Sequence, residues 1–353
     1  MNKKPYISFV VTSRNDNHGG DMINRMKIFT SGLIHQCNKF RLNAELVFVE
    51  WNPLEGKPLL KEILPLPKKG NYLNVRFIVV PNATHKTLEF SNKIPLYQMI
   101  AKNVGIKRAE SEYVLCTNVD LLFSDELIEF ISKKTLKKEV IYRANRCDIP
   151  KDLNPDLPIE DLLTYAKNNI LQRLGKSKYY PELVNTFGLL YKIPIYGMML
   201  SLPVKIKKLL GNQTIQEQIN ILDTDACGDF TLMSKDDWED IEGYFELEAY
   251  SIHLDSLALY AALALKKKQK ILHYKKSTFH ISHENGWEMA NPLDKIYFDI
   301  KNPMLDWSTV ENVGKYLIKN NLKLNLNKPT WGFSDKKFKE YIFEPGKEMI
   351  EIN

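Results

Sequence analysis

The sequence is poor in cysteine, which argues against two common ways of stabilising a small fold. Its four cysteines, among 353 residues, stand far apart and form no C-x-x-C pair. A structural zinc site or a disulfide framework is therefore not expected. Three of the four lie in or beside apolar, strand-like segments, where a reduced cysteine buried in the core is the usual interpretation.

The sequence also lacks an uninterrupted apolar run long enough to span a bilayer. The first residues, Met1 to Tyr6, lead directly into a predicted strand and contain no apolar signal-peptide core. We therefore expect a cytosolic protein, or one bound to the cytosolic face of a membrane.

Charge and composition are unremarkable for a folded protein. The chain is 44% hydrophobic and 26% charged, and its formal net charge is +6, which excludes global disorder. An excess of this size suits an anionic partner such as a nucleotide diphosphate or a lipid headgroup. It is too small for the basic surface of a nucleic-acid-binding protein, so no nucleic-acid partner is expected.

Two hydrophobic periodicities alternate over the first 150 residues. Apolar residues at helical spacing run from Met22 to Cys37, from Tyr97 to Val104 and from Leu127 to Ile131. Between them lie short apolar runs bounded by turn residues, which predict the strands Tyr6–Thr12, Ala44–Trp51, Val75–Val80, Tyr113–Thr117 and Val140–Arg143. This alternation predicts an α/β fold with a mostly parallel sheet flanked by helices.

Polar clusters follow three of the predicted strands. They are Thr12–Asp16, Glu50–Asn52 and Asn118–Asp120. Ligands of such sheets bind beyond the carboxyl ends of the strands, so these clusters predict a polar binding site at one edge of the sheet.

The segment 151–225 differs in character from the first 150 residues. It is rich in Lys, Arg and aromatic residues and reads as a mainly helical insertion. Two interpretations are open. The segment is a helical subdomain with a solvated basic face, or it is a lid over a binding site or a patch that contacts a membrane surface.

Alternating structure resumes after the insertion. The pattern predicts strands at Asp229–Ser234 and Ile271–Tyr274 and helices at Asp236–Ile241 and His253–Leu265. We divide the chain into a first half (1–150), the insertion (151–225), a second half (226–290) and a C-terminal extension (291–353).

One motif carries the most information about function. Asn103, Gly105 and Ala109 precede a strand that ends in Asn118-Val119-Asp120. This order resembles glycosyltransferase family 2, in which an R/K-N-x-G-x-x-x-A helix leads into a strand ending in D-x-D. The resemblance covers about residues 5–147 and 228–285. It implies a GT-A fold and transfer of a sugar from a nucleotide-diphospho-sugar to a saccharide or lipid-linked acceptor. On this resemblance, residues 1–150 bind the nucleotide-sugar, 226–290 supply the acceptor site and the catalytic base, and the insertion lies on the acceptor or membrane side.

The resemblance implies a divalent metal, Mn²⁺ or Mg²⁺, bound by Asp120, because hard cations prefer oxygen ligands. Asn118 replaces the first Asp of the motif and removes one negative charge. The alternative for Asp120 is a helix N-cap or a turn residue. A late histidine, His280 or His283, is a further expected ligand. Alternation along a strand would let at most one of the two face the metal, and a structural histidine is the alternative.

The same resemblance implies nucleotide-sugar contacts at the ends of the first strands. The expected contacts are Thr12, Arg14, Asn15, Glu50, Asn103 and Asn118. Arg14 could meet a phosphate, and the Glu50 carboxylate could accept hydrogen bonds from a base or ribose. Residues at strand ends are also common turn formers, so that interpretation stays open.

The catalytic base is expected near the second half of the resemblance. Asp255 takes the place of the acid that deprotonates the acceptor, and Glu246 is the second candidate or an acceptor ligand. His253 stands where the family usually has Glu, and Asp229 would help to shape the acceptor pocket. Alternatively, Asp255 is a first-turn acid favoured by the helix dipole.

The resemblance therefore implies an inverting, metal-dependent glycosyltransferase of surface glycan biosynthesis, of the capsule or lipopolysaccharide type. Two other functions remain open. One is a non-catalytic protein that binds a nucleotide-sugar or glycan. The other is a sugar-phosphate nucleotidyltransferase, which usually has a Gly-rich loop after the first strand, where this chain has only Gly19-Gly20.

Overall fold

The computed structural model describes residues 4–176, 219, 221–283 and 303–352. It is an α/β structure with a large mixed sheet flanked by helices. The basic and apolar part of the predicted insertion, residues 177–218, lies outside the described residues, as does 284–302. The described beginning of the insertion contains one helix and one short strand.

Thirteen strands are described. They are β1 Ile7–Ser13, β2 Ala44–Trp51, β3 Leu73–Val80, β4 Tyr113–Thr117, β5 Leu121–Phe123, β6 Val140–Arg143, β7 Asn145–Ile149, β8 Gln172–Leu174, β9 Phe230–Ser234, β10 Lys268–Ile271, β11 Ser277–Ile281, β12 Lys339–Phe343 and β13 Ile350–Ile352.

The described helices flank these strands. They are α1 Met22–Lys39, α2 Leu60–Ile63, α3 Asn82–His85, α4 Gln98–Arg108, α5 Asp125–Ser132, α6 Ile159–Asn168, α7 Lys235–Asp240, α8 Leu254–Ala264 and α9 Trp307–Asn320, and a 3₁₀ turn covers Trp331–Phe333.

The main sheet has nine strands in the order β10-β6-β9-β4-β1-β2-β3-β12-β13. Strands β4, β1, β2 and β3 pair in parallel. By contrast, β9 lies antiparallel between β4 and β6, and β12 lies antiparallel to β3. The α/β class is confirmed, with a parallel centre formed by β4, β1, β2 and β3. The whole sheet is mixed, because β9 and β12 run in the opposite direction.

A second sheet of four strands has the order β5-β11-β7-β8. Strand β11 pairs antiparallel with β5 and parallel with β7. Because β5 follows β4 after only three residues, this sheet brings the late part of the chain to the carboxyl end of β4.

Most predicted strands match the structure closely, and one is displaced. Strands β2, β4 and β6 have the predicted bounds. The strand predicted at Ile271–Tyr274 instead occupies Lys268–Ile271. It lies at the edge of the sheet and carries exposed lysines, Lys268 and Lys270, so a search for apolar runs places it too late.

Close packing fixes α4 against the centre of the main sheet. A Cβ atom on Gly105 would lie 2.5 Å from Cγ1 of Val10 and 3.2 Å from Cγ2 of Val49. Glycine at this position therefore lets the helix approach β1 and β2 more closely than any larger residue would. This packing places the start of α4 beside the end of β4.

All four cysteines are buried, as expected for those in apolar segments. Among the described helices, none combines the length and the apolar character that crossing a bilayer would require.

Candidate active site and metal centre

A carboxylate and two imidazoles meet beyond the end of β4. Asp120 precedes β5, and the pairing of β5 with β11 sets Leu121 opposite His280. The backbone N–H of Ile281 donates to the carbonyl of Asp120 (2.9 Å). Strand pairing therefore holds the carboxylate and the late histidine together. Ser124 is the N-cap of α5, so Asp120 does not have that alternative role.

Both late histidines face Asp120. Nε2 of His280 lies 3.7 Å and Nε2 of His283 3.2 Å from Oδ2 of Asp120. One ligand atom from each of the three residues lies within 4.8 Å of the others, a spacing that could hold a metal ion. The expectation that at most one histidine would face this point is wrong. Strand β11 ends at Ile281, so the alternation of side chains does not extend to His283.

Asp148 orients the first of these histidines. Parallel pairing of β7 with β11 sets Asp148 beside His280, and Nδ1 of His280 lies 3.1 Å from Oδ1 of Asp148. With the Nδ1–H donated to this carboxylate, Nε2 is left to act as a metal ligand. The sequence analysis missed Asp148, because its importance depends on strand register.

Electrostatics keep Asp120 ionised. Burial opposes ionisation, but the charges and hydrogen bonds of His280 and His283 outweigh it and hold the pKa of Asp120 well below its usual range. Burial likewise disfavours the imidazolium of His280, yet the Asp120 carboxylate raises the pKa of His280 to about 9.

The ligand atoms of this cluster fit a divalent metal. Oδ1 of Asp120 is buried and has no hydrogen-bond partner, whereas Oδ2 already contacts the histidines. A buried acceptor without a partner is costly, and a cation bound to Oδ1 would remove that cost. The donors are two imidazole nitrogens and one carboxylate oxygen, and Asp148 holds one of the imidazoles in place from behind.

Asn118 is held by groups of the protein itself. Its Oδ1 accepts from Nε2 of Gln98 (2.8 Å) and Nζ of Lys102 (2.9 Å), and its Nδ2 donates to Oδ1 of Asp229 (2.6 Å). An aspartate here would keep the first two bonds but set a second carboxylate against Asp229. This arrangement explains why an amide stands in the first position of the acidic motif.

Lys102 is a buried cation beneath this network. Its side chain is fully buried, and Nζ also donates to the carbonyl of Gly228 (2.8 Å). Burial lowers the pKa of Lys102, and the charges of nearby acids, including Asp229 and Asp255, oppose this effect. The sequence analysis missed Lys102, although a lysine within an apolar helical run is a sign of a buried charge.

Arg146 joins the network to the metal cluster. Its guanidinium contacts Oδ1 of Asp148 (2.6 Å) and Oδ2 of Asp229 (3.1 Å). A continuous chain of charged and polar contacts therefore runs from His280 through Asp148, Arg146 and Asp229 to Asn118. Arg146 was also missed by sequence analysis, since β7 offers no recognisable motif.

The predicted nucleotide contacts lie at the ends of β1 and β2. Ser13 pairs with Glu50 across the two strands. Thr12 donates to the carbonyl of Val49 (3.0 Å), Arg14 to that of Pro95 (3.3 Å) and Asn15 to that of Pro58 (3.1 Å). These side chains are buried and brace the surrounding loops, and their contact with a nucleotide stays a prediction.

Glu50 is the exception in this group, because one of its oxygens has no partner. Oε2 accepts from the backbone N–H of Leu60 (2.9 Å), whereas Oε1 is buried and unpaired. Burial raises the pKa of Glu50 to about 7, and the Leu60 hydrogen bond offsets only part of this rise. The unpaired Oε1 is thus available to a ligand that reaches the end of β2.

Replacing Glu50 with glutamine is expected to change how stability depends on pH. The native state binds the Glu50 proton more tightly than the unfolded chain, so wild-type stability falls as the pH rises from about 4.5 to about 7. The rise in pKa corresponds to at most about 3 kcal/mol. Urea unfolding should therefore show Glu50→Gln gaining stability relative to wild type between pH 5 and pH 8.

Glu55→Gln is the matched control for this experiment, because Glu55 is exposed on the loop after β2. Its stability difference from wild type should not change with pH. A constant difference for Glu50→Gln as well would contradict the raised pKa.

Asp255, the predicted base, lies in the first turn of α8. Its Oδ1 accepts from the N–H of Ser256 (2.9 Å). Its Oδ2 lies 2.9 Å from the position that a Cβ atom on Gly228 would occupy, so a larger residue there would displace this carboxylate. His253, the N-cap, has a left-handed backbone (φ 66°), and its ring packs edge-on against Trp307 (5.3 Å between centroids).

Asn103 and Glu246 are hydrogen-bonded to each other, and the hydrogen bonds described for them do not involve Asp120, His280 or His283. Nδ2 of Asn103 donates to the carbonyl of Tyr244 (2.8 Å) and to Oε1 of Glu246 (2.9 Å), and Oδ1 accepts from the Tyr244 N–H (2.8 Å). Oε1 of Glu246 also accepts from Gly332 N–H (2.7 Å). Asn103 is fully buried, so its amide serves to join α4 to the 243–246 segment.

Comparison with known proteins finds similarity in structure but not in sequence. No protein-family model matches the chain, and no curated protein matches it significantly. Among solved structures, the chain is similar to S. aureus TarS 1-349, with 14% sequence identity and a TM-score of 0.41. The similarity covers 90% of this chain and 71% of that chain.

Proposed function

We propose that the chain is a metal-dependent glycosyltransferase of the GT-A type. It would move a sugar from a nucleotide-diphospho-sugar to a saccharide or lipid-linked acceptor in surface glycan biosynthesis. The observation that carries the proposal is the Asp120–His280–His283 cluster, built beyond the end of β4 where the D-x-D-like motif ends. A bound divalent cation would neutralise charge on the leaving diphosphate.

The residues around the cluster have separate roles in this proposal. Asp148 holds the tautomer of His280. Arg146, partly exposed between two carboxylates, would contact an anionic or hydroxyl group of the donor. Glu50, with its unpaired oxygen, would accept a hydrogen bond from the base or ribose.

Asp255 would act as the base in an inverting displacement. The acceptor hydroxyl oxygen forms a bond to the anomeric carbon as the bond from that carbon to the diphosphate oxygen breaks. The electron pair leaves with the diphosphate, and the hydroxyl proton moves to an Asp255 carboxylate oxygen. Lys102 and Gly228 would fix the backbone beside this carboxylate.

The ligand types favour Mn²⁺ over Mg²⁺. Mg²⁺ prefers oxygen ligands in a near-ideal octahedron, whereas imidazole nitrogen is better tolerated by transition-metal ions. Two of the three candidate ligands here are imidazoles. We therefore expect Mn²⁺ to support donor binding at lower concentration than Mg²⁺ does.

Calorimetric titration tests the proposal. The protein is titrated with UDP-, GDP-, dTDP- and CMP-linked sugars in the presence of Mn²⁺, of Mg²⁺ and of EDTA. We expect one nucleotide to bind tightly with Mn²⁺, more weakly with Mg²⁺ and least with EDTA. Equal donor affinities with Mn²⁺ and with EDTA would contradict the metal dependence. If none of the donors binds, the proposal that the chain is a glycosyltransferase is contradicted.

One observation favours a second candidate, a protein that binds a nucleotide-sugar or glycan without turnover. Asn118 supplies no carboxylate, and its amide is bonded to Gln98, Lys102 and Asp229. The metal cluster therefore has a single carboxylate.

A cytosolic location and peripheral contact with a membrane surface remain predictions.

A further inference from the structure

Arg25 connects the metal cluster to the loop between β1 and α1. It lies in the first turn of α1, and only 3% of it is exposed. Nη1 donates to Oδ2 of Asp120 (3.2 Å). Nη2 donates to the carbonyls of His18 and Gly20, the latter at 2.9 Å. One buried guanidinium therefore holds both a candidate metal ligand and a loop.

The loop that Arg25 holds has an uncommon backbone. Within residues 17–21, the φ angles of Asn17, Gly19, Gly20 and Asp21 are 60°, 67°, 71° and 47°. Left-handed conformations cost free energy for residues other than glycine, so this loop needs contacts that hold it. The described contacts include the two bonds from Arg25 and the bond from Met22 N–H to Asn17 Oδ1 (3.2 Å).

This loop forms one wall of a cavity beside the metal cluster. The cavity has a volume of about 240 Å³ and is lined by Gly19, Gly20, Asp21, Arg25, Lys151, Asp152, Ser282 and His283. His283 is also a candidate metal ligand. The position of the loop therefore sets the shape of the space next to a bound metal.

Arg25 should have opposite effects on the metal and on the loop. Its positive charge, 3.2 Å from Asp120, lowers the attraction of that carboxylate for a cation. Its contact with Oδ2 also leaves Oδ1 as the oxygen without a partner. At the same time, its bonds to two carbonyls keep the loop ordered.

We propose that Arg25 is a positioning residue that restricts Asp120 to binding the metal through Oδ1 and holds loop 17–21 as the wall of the adjoining cavity. It thereby weakens metal affinity and strengthens the binding of a diphosphate at the metal. This inference rests on the metal site of the proposed function.

The test uses two variants of Arg25 and one control variant, all in the full chain, and three measurements. Mn²⁺ affinity is measured with the metal alone, inorganic pyrophosphate affinity is measured at saturating Mn²⁺, and amide hydrogen exchange is followed in residues 17–21. Arg25→Gln removes the charge. Arg25→Lys keeps the charge but cannot reach the carboxylate and both carbonyls as a planar fork does.

We expect Arg25→Gln to bind Mn²⁺ about tenfold more tightly, because a nearby like charge is removed. It should bind pyrophosphate more weakly and exchange faster in residues 17–21. Arg25→Lys should keep wild-type Mn²⁺ affinity while its loop also exchanges faster. Lys27→Gln, which removes a charge from the same helix, should leave all three measurements unchanged.

Weaker Mn²⁺ binding by Arg25→Gln, or wild-type exchange in the loops of both variants, would overturn the inference. Thermal melts check that each variant folds, and Arg25→Lys alone tests the loop if Arg25→Gln does not fold. Failure of the wild-type protein to bind Mn²⁺ would instead contradict the metal site of the proposed function, and this inference with it.

Discussion

Replacing Asp120 with asparagine is expected to lower Mn²⁺ affinity by at least about 100-fold and to remove measurable sugar transfer. Loss of a group that only supports a ligand typically costs about 10–100-fold in metal affinity, and Asp120 supplies the only carboxylate of the cluster. The measurement is titration with Mn²⁺, followed by transfer assays with the donor identified by calorimetry.

Two other carboxylates provide graded controls for this variant. Asp148→Asn should weaken Mn²⁺ binding by about 10–100-fold, because it disturbs the orientation of His280 without removing a ligand. Asp152→Asn removes an exposed carboxylate from the adjoining cavity and should leave metal affinity within about twofold of wild type. Equal Mn²⁺ affinities for Asp120→Asn and wild type would mean that the cluster is not a metal site.

Replacing Asp255 with asparagine is expected to lower kcat by about 10²–10⁴-fold, the usual contribution of a general base. Donor affinity should stay at the wild-type value, because Asp255 would act on the acceptor proton rather than on the nucleotide. The measurements are kcat for transfer and calorimetric donor affinity for the same preparations.

Glu246→Gln is the matched control, since Glu246 is the second candidate for the base. Its carboxylate accepts from Asn103 and Gly332, so we expect this variant to lose stability and to keep most of its kcat. A larger fall in kcat for Glu246→Gln than for Asp255→Asn would transfer the role of base to Glu246. A wild-type protein that binds donor without transferring sugar would favour the binding protein.

Sequence patterns located the strands of the sheet centre and the acidic end of β4. The bounds of β2 and β4 were predicted correctly, because these strands are short apolar runs closed by turn residues. The predicted proximity of Asp120 to a late histidine is also found, although both histidines lie there rather than one. The strand bounds depend on local order along the chain, which a single sequence records, whereas the grouping of Asp120 with a late histidine came from the family resemblance.

The parts that were missed depend on strand pairing and on the faces of helices. Asp148 adjoins His280 only because β7 pairs with β11, 132 residues later in the chain. Lys102 and Asn103 are neighbours in sequence, yet they point to different partners because successive helical residues are about 100° apart. Lys102 reaches Asn118, whereas Asn103 reaches Glu246.

The strand β12 has a practical consequence for handling the protein. It covers the backbone donors and acceptors of β3 along five paired residues, and Glu340 forms ion pairs with Arg76 and Arg108. A chain cut before Lys339 would leave β3 as a long apolar edge, and such edges recruit other chains and aggregate. Shortened forms of the chain should therefore retain the residues through Phe343. A tag placed after Phe343 would leave the pairing of β12 with β3 intact.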